Sequence, residues 1–223
     1  MRNGTRDLKG LLNFFLQSNC PLCQRQTAKE FCQDCARQMQ HQKLPDPSKL
    51  WQGQLPVFAW GAYGGTLKRA IAALKYENQP QLARPLGHWL AKSWLSSQFA
   101  AKALIVVPIP LHANKQKQRG YNQAALLAQS FCDTTGLYLQ QMGLERIRAT
   151  EAQFGISAKD REKNLAMAFG LGSGFRRHRP ALPVLLFDDV YTTGATARSA
   201  AQTLQQQDIP VCGVVALSAS RPV

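Results

Sequence analysis

Acidic residues are scarce in this chain: 13 Asp and Glu stand against 27 Lys and Arg in 223 residues, a formal net charge of +14 with histidine neutral. With a pI near 9.9 the surface stays positive at every physiological pH. That favours polyanionic partners (nucleic acid, phosphometabolites or acidic membrane) without choosing among them. Long apolar runs are also missing. A membrane-spanning helix needs about 18 consecutive apolar residues, whereas the longest N-terminal run, Leu11 to Leu16, is broken by Asn13 and has no signal-peptide cleavage pattern. The expected setting is the cytoplasm, with no membrane span. Internal repeats and long low-complexity tracts are absent, and 45% hydrophobic residues are enough to fill a core, which excludes disorder, collagen and coiled coil. The length suits one full α/β domain with a small appendage.

The six cysteines do not form the scattered pattern of a secreted disulfide framework, because four of them fall within the first 35 residues. Cys20-x-x-Cys23 and Cys32-x-x-Cys35 offer four thiolates as two paired knuckles, the pattern that closes a tetrahedral Zn²⁺ site in a reducing compartment. With no histidine and no open position the site is expected to be structural, offsetting the small core of the module through metal-coupled folding. Cys132 and Cys212 read as small buried apolar residues. Between Gln40 and Gln54, polar residues with Pro45, Pro47 and Gly53 interrupt any periodicity. The expected organisation is a zinc module over 1–45 and a second domain over 55–223.

In that second part strands and helices alternate. Pro56 to Tyr63 reads as a strand, and Thr66 to Lys75 as a helix with Leu67, Ala70, Ile71 and Leu74 on one face. A further helix is expected from about Gln81 to Leu95. The run Ala103-Leu104-Ile105-Val106-Val107 is continuously apolar, as in a strand covered on both faces, and Pro108 and Pro110 end it. Helices over Asn122 to Phe131 and Ala197 to Gln206, and strands near Leu137 to Met142, Val184 to Phe187 and Val211 to Leu217, complete the pattern. Such alternation implies βαβ crossovers, a mostly parallel sheet flanked by helices, and a ligand at the carboxyl ends of its strands.

Two segments carry chemistry. The buried strand at Leu185 runs into Asp188-Asp189 and then Thr192-Thr193-Gly194-Ala195-Thr196, which opens a helix. Backbone N–H groups at a helix N-terminus, three threonine hydroxyls and no bulky side chain at Gly194 or Ala195 suit a phosphate monoester. Asp188 and Asp189 stand one sugar length away, where carboxylates accept from vicinal ribose hydroxyls and help hold Mg²⁺. No Gly-Lys-Thr or Gly-Lys-Ser follows a glycine run, so a Walker A loop is excluded. The second segment, after Val106-Val107-Pro108-Ile109-Pro110-Leu111-His112, carries Lys115, Lys117 and Arg119. These three cations are expected on a loop that collects the charge of a pyrophosphate, Arg119 with bidentate capacity.

The strand, acid pair and threonine turn resemble the phosphoribosyl-pyrophosphate signature of type I phosphoribosyltransferases. With the two Cys-x-x-Cys pairs, Leu74-Lys75-Tyr76, Pro108 to His112, Arg119-Gly120-Tyr121-Asn122-Gln123, and the stretch from Arg148 through Thr150, Gln153, Arg161 and Asn164 to Ala168-Phe169, the chain resembles the ComF family over nearly its whole length. The resemblance implies a type I phosphoribosyltransferase fold, a phosphoribosyl-pyrophosphate and Mg²⁺ site, a zinc ribbon and handling of incoming single-stranded DNA in competence. By position it implies Asp188 and Asp189 on the ribose, Thr192 to Thr196 on the 5′-phosphate, Leu111 to Gly120 on the pyrophosphate and Arg146 to Lys159 as a flap.

One departure matters. Base-salvage enzymes with an acid inside the phosphate loop would carry it at Thr192, and a hydroxyl does not replace a carboxylate as general base. No catalytic residue is therefore assigned. The alternatives are an active phosphoribosyltransferase with an unidentified base or amine acceptor, and an adaptor whose zinc ribbon docks a DNA-uptake helicase or channel. For a DNA strand the candidate surface is Arg146, Arg148, Lys159, Arg161, Lys163, Arg176, Arg177 and Arg179, eight cations in 34 positions, with Tyr63, Tyr76 and Phe154 as stacking platforms.

Overall fold

A computed structural model describes residues 18–100, 103–147 and 168–220. A short antiparallel ladder of β1 (Ser18–Asn19) and β2 (Gln26–Thr27) precedes helix α1 (Gln33–Gln40). Then come β3 (Val57–Ala62), α2 (Gly65–Tyr76) and, after a 3₁₀ turn at Pro80–Leu82, α3 (Ala83–Leu95). Strand β4 (Ile105–Pro108) leads through α4 (Ala113–Arg119) and α5 (Gln123–Thr135) to β5 (Tyr138–Leu139). A small antiparallel pair, β6 (Leu144–Arg146) with β7 (Phe169–Leu171), is followed by α6 (Ser173–Arg177). Strand β8 (Val184–Tyr191), helix α7 (Ala195–Gln205) and strand β9 (Val211–Ala219) end the described chain.

Five strands form one sheet in the order β3-β9-β8-β4-β5, every pair parallel, as the alternation of strands and helices predicts. Its central strand explains the unbroken apolar runs. Leu185 and Phe187 of β8 join a cluster with Leu67, Leu86, Leu90 and Phe131 of the helices α2, α3 and α5. Val184 and Leu186 join a second cluster, with Ala197, Ala200 and Leu204 of α7 and Phe169 and Phe175. Both faces are therefore covered, so neither set can be polar. Trp94 sits at the centre of the first cluster, its ring 5.2 Å from Phe58 and 6.3 Å from Phe131. Helices α3 and α5 approach closely because residue 87 is glycine: a Cβ there would lie 2.6 Å from the Leu127 carbonyl.

The chain order creates the crevice. From β4 the chain moves outward to β5, whereas from β8 it moves the opposite way to β9, and β4 and β8 are neighbours. Loops leaving their carboxyl ends diverge, which opens a site at this switch point.

The cysteine-bearing segment shares the first core. Phe31 and Met39 belong to its buried cluster, and the Phe31 ring lies 5.8 Å from Trp89. Gln38 of α1 accepts at 2.8 Å from the Thr66 hydroxyl, and Arg69 reaches the Leu22 carbonyl. The stretch 42–50 runs along the outer edge of β3, where the N–H groups of Val57, Ala59 and Ala62 donate to Leu50, Pro47 and Gln42 and that of Leu44 donates to Trp60, at 2.8–2.9 Å.

One local expectation is corrected. Lys115, Lys117 and Arg119 lie on α4, not on a loop. The His112 ring nitrogen accepts from the Asn114 N–H, Gly120 closes the helix at φ 83°, and the residues between are fair helix formers, which together nucleate a turn that charge counting alone misses. Lys115 and Arg119, four apart, share one face. The strand near Leu137 to Met142 is likewise shorter, only Tyr138 and Leu139 pairing with β4.

Candidate functional site

A cleft of about 310 Å³ lies at the carboxyl ends of β4 and β8, lined by Tyr63, Lys75, the turn Ile109 to Leu111, Gln123, Arg146, Asp188, Asp189, Thr192 and Thr196. Each wall has a local cause. The Asn122 side chain caps α5 by accepting from the Ala124 N–H at 3.0 Å and donates at 3.1 Å to the Ile109 carbonyl, which fixes the turn after β4 against the start of α5. Tyr121 ties in α2 through its hydroxyl, which donates to the Leu74 carbonyl at 2.5 Å. Lys75, next in the chain, lines the cleft.

Asp188 and Asp189 end the deeply buried part of β8. Asp189 is 3% exposed, and its Oδ2 lies 2.7 Å from the Lys75 Nζ. Asp188 accepts from the Asp189 N–H at 2.8 Å. Burial first, and then the neighbouring Asp189 carboxylate, raise the Asp188 carboxyl well above its ordinary range, against the opposing pull of that N–H and of Lys75. Arg146 is a fourth charge in the cleft. Burial lowers its guanidinium and the Asp188 charge opposes that, while its Cζ lies 5.4 Å over the Phe169 ring.

Beyond the acids the backbone turns. Gly194 adopts φ 75° as N-cap of α7, and a Cβ there would meet the Tyr191 hydroxyl at 2.2 Å. The Thr193 carbonyl accepts from Arg198 at 2.8 Å, and Thr193 Oγ1 from the Ala195 N–H at 3.4 Å. Thr192 and Thr193 are exposed, and the Ala197 side chain behind them is in the core. Asp188, Asp189, Thr192 and Thr196 thus line one cleft, whereas Thr193, Gly194 and Ala195, which lie between Thr192 and Thr196 in the chain, are not among its lining residues.

The cations are less uniformly placed. Among the described residues Lys115 and Lys117 are exposed on α4 and are not cleft-lining. Arg119 lies 5.3 Å over the Tyr76 ring and bonds Gln123, itself in the cleft wall. Of the candidate strand-binding residues, Arg176 is held by both Glu145 oxygens, at 2.5 and 3.2 Å, and Arg179 donates to the Gln207 carbonyl at 3.1 Å. Arg177 is exposed. Arg148, Lys159, Arg161, Lys163 and Phe154, and most of the Arg146 to Lys159 flap, lie outside the described residues.

Arg146, the first residue of the flap that the resemblance implies, lines the cleft, whereas Lys75 and Gln123 were not readable as cleft residues. Lys75 and Gln123 belong to motifs of the resemblance, but nothing in their spacing aims them at Asp189, which lies more than 60 positions away along the chain.

The four N-terminal thiols form a second centre. The Sγ atoms of Cys20, Cys23, Cys32 and Cys35 all lie within 4.8 Å of one another, and those of Cys23 and Cys32 are 3.4 Å apart. A tetrahedron of thiolates at about 2.3 Å from zinc has edges of about 3.8 Å, so the cluster fits such an ion. Cys32 caps α1 and accepts from the Cys35 N–H at 3.5 Å. Burial opposes the Cys20 thiolate, but backbone N–H groups of Cys32 and Leu22 bring that thiol down to about 7; burial and the surrounding thiols raise Cys35. Cys132 is buried in the main core. The four cysteines are able to hold a metal such as zinc.

No family model matches the chain. It is 29% identical over 220 residues to competence protein F of Haemophilus influenzae, covering 92% of this chain and 93% of that one. It is 30% identical over 196 residues to the DNA utilization protein YhgH of Escherichia coli K12, covering 83% of each. With competence protein ComFC of Bacillus subtilis it shares 28% identity over 196 residues, 84% of this chain and 72% of that one. Among solved structures, the glutamine phosphoribosylpyrophosphate amidotransferase of B. subtilis aligns with 65% of this chain and 27% of its own, at 20% identity and a TM-score of 0.38, too low to bear on ligand or mechanism. Identity of 30% across 83% of both chains, together with the other curated relatives at 28–29%, means that the chain belongs to the ComF family of competence and DNA-utilisation proteins.

Proposed function

We propose that the protein binds phosphoribosyl pyrophosphate with Mg²⁺ in the cleft between β4 and β8, and works in the utilisation of incoming DNA by handling a single strand. The observation that carries the ligand reading is the meeting of a carboxylate pair with Thr192 and Thr196 of the turn at the start of α7 in one cleft, at the switch point of a parallel sheet. The names of the relatives support the DNA role. In this reading Asp188 and Asp189 accept from the ribose hydroxyls, the α7 N-terminus and Thr196 take the 5′-phosphate, and Arg146 faces the pyrophosphate. Mg²⁺ supplies charge neutralisation to the phosphate oxygens. The thiol cluster takes Zn²⁺ as a structural ion. The exposed Thr192 offers a hydroxyl where a base-salvage enzyme would hold a carboxylate, which favours binding over transfer.

Calorimetric titration with phosphoribosyl pyrophosphate and Mg²⁺ tests the ligand. Saturable binding is expected, with loss of at least about 100-fold in affinity for the double variant Asp188→Asn, Asp189→Asn while zinc content stays constant. Equal affinity in the double variant refutes the assignment. Fluorescence anisotropy of a labelled single strand at several salt concentrations tests the second half. Affinity is expected to fall steeply with salt; no binding at low salt, or a flat response, rejects strand handling by charge.

A further inference from the structure

We propose that Lys75 is a built-in counter-ion of the acid pair, which keeps a divalent cation out of the cleft unless the cation arrives with a polyanion. The inference rests on the ligand reading above only for the identity of that polyanion.

Among the described residues, four charged side chains line the cleft: Asp188, Asp189, Lys75 and Arg146. Two acids and two bases leave the site without net negative charge, so the carboxylates do not form the electron-rich cage that a hard dication needs. The geometry goes further than the count. The Lys75 ammonium lies 2.7 Å from Asp189 Oδ2, with the two side chains 19% and 5% exposed. A dication that coordinated this oxygen would first have to displace the ammonium and then share a partly dehydrated cleft with it and with Arg146, where like charges repel strongly.

A ligand with several negative charges removes that obstacle, because its phosphates give the displaced ammonium a new partner and bring compensating negative charge into the cleft. Lys75 is fitted for the exchange. It is the penultimate residue of α2, and the carbonyl of the preceding Leu74 is fixed by the Tyr121 hydroxyl, so the backbone stays while the long side chain swings. Lys75 is thus a positioning residue. It holds Asp189 in place when the cleft is empty and sets the order in which metal and anion are taken up.

The test uses the full-length, zinc-loaded protein and Mn²⁺ as probe, with free Mn²⁺ measured by electron paramagnetic resonance. Wild type is expected to take up Mn²⁺ only with phosphoribosyl pyrophosphate or pyrophosphate present. Lys75→Met, which keeps the stem and removes the charge, is expected to bind Mn²⁺ alone at least about tenfold more tightly than wild type. Lys75→Arg is expected to behave as wild type, which separates charge from packing. Stoichiometric Mn²⁺ uptake by wild type without an anion overturns the proposal, as does Lys75→Met with no gain in affinity. Should Lys75→Met fail to fold, Lys75→Gln takes its place and the wild-type arm still decides. If the metal-alone results are as expected but neither anion brings Mn²⁺ in, the ligand reading fails and the counter-ion role stands.

Discussion

The two adjacent aspartates look alike in sequence and are opposite in energetics. Asp189 has a cationic partner at 2.7 Å, whereas Asp188 faces burial and its neighbour's charge. Asp188→Asn keeps an oxygen to accept from the Asp189 N–H and removes the repulsion. It is expected to raise the melting temperature by about 2–4 °C at pH 7.5 while weakening ligand binding, the usual opposition between a functional carboxylate and stability. The pH dependence has a definite sign. A carboxyl whose pKa is raised on folding holds its proton more tightly in the folded state, so wild-type stability falls as pH rises from the ordinary carboxylate range toward the raised value. The Asn variant should lose that decline, and its advantage should vanish below pH 4. Melting curves across pH check both; an Asn variant less stable than wild type at pH 7.5 contradicts the account. Asp189→Asn should instead cost about 2 kcal/mol, because Lys75 loses its partner in a half-closed site.

At the level of elements, glycines set the geometry of the cleft and of its supporting helices. Gly194→Ala places a methyl against Tyr191 in a left-handed conformation, and is expected to cost about 1–2 kcal/mol and to disrupt the turn at α7. Calorimetry should show the loss in affinity exceeding the loss in stability. Gly87→Val forces α3 from α5, since the clash is with the Leu127 carbonyl, and should cost about 2–3 kcal/mol with ligand affinity of the folded fraction preserved. Chemical denaturation checks the first and titration the second. Most elements were legible in the sequence. The continuous apolar runs at Ile105 and Val184, and the helical spacing from Leu67 to Leu74, have one structural solution each. Strand β8 exceeds its apolar run because Asp188 to Tyr191 go on pairing with Ala216 to Ala219 of β9, a long-range ladder invisible to local composition. Helix α4 was missed because its stability comes from a ring cap and a left-handed glycine, not from an apolar face. The acid pair and threonine turn were readable because they are consecutive, whereas Lys75 and Gln123 reach the cleft from elements remote in sequence.

For the whole molecule, the +14 charge divides into unlike parts. Lys75 and Arg146 are absorbed by the cleft, and Arg176 by Glu145, so surface charge is less concentrated than the sequence suggests. The thiol cluster is coupled to the same body through Phe31 and Met39. Stripping metal with a strong chelator is therefore expected to lower the temperature of a single unfolding transition, rather than to melt a separate module. A low-temperature transition with the main one unmoved would show the two parts to be independent.

The stretch along β3 has its own consequence. By occupying N–H and C=O groups on the outer side of β3, residues 42–50 leave that margin of the sheet no free template for another chain. A truncation that begins at residue 55, the natural cut for isolating the α/β half, would bare the outer N–H and C=O groups along Val57 to Ala62, a strand with all six residues buried. Such a fragment should self-associate in proportion to its concentration, so the segment that reads as a spacer serves as the protein's guard against aggregation.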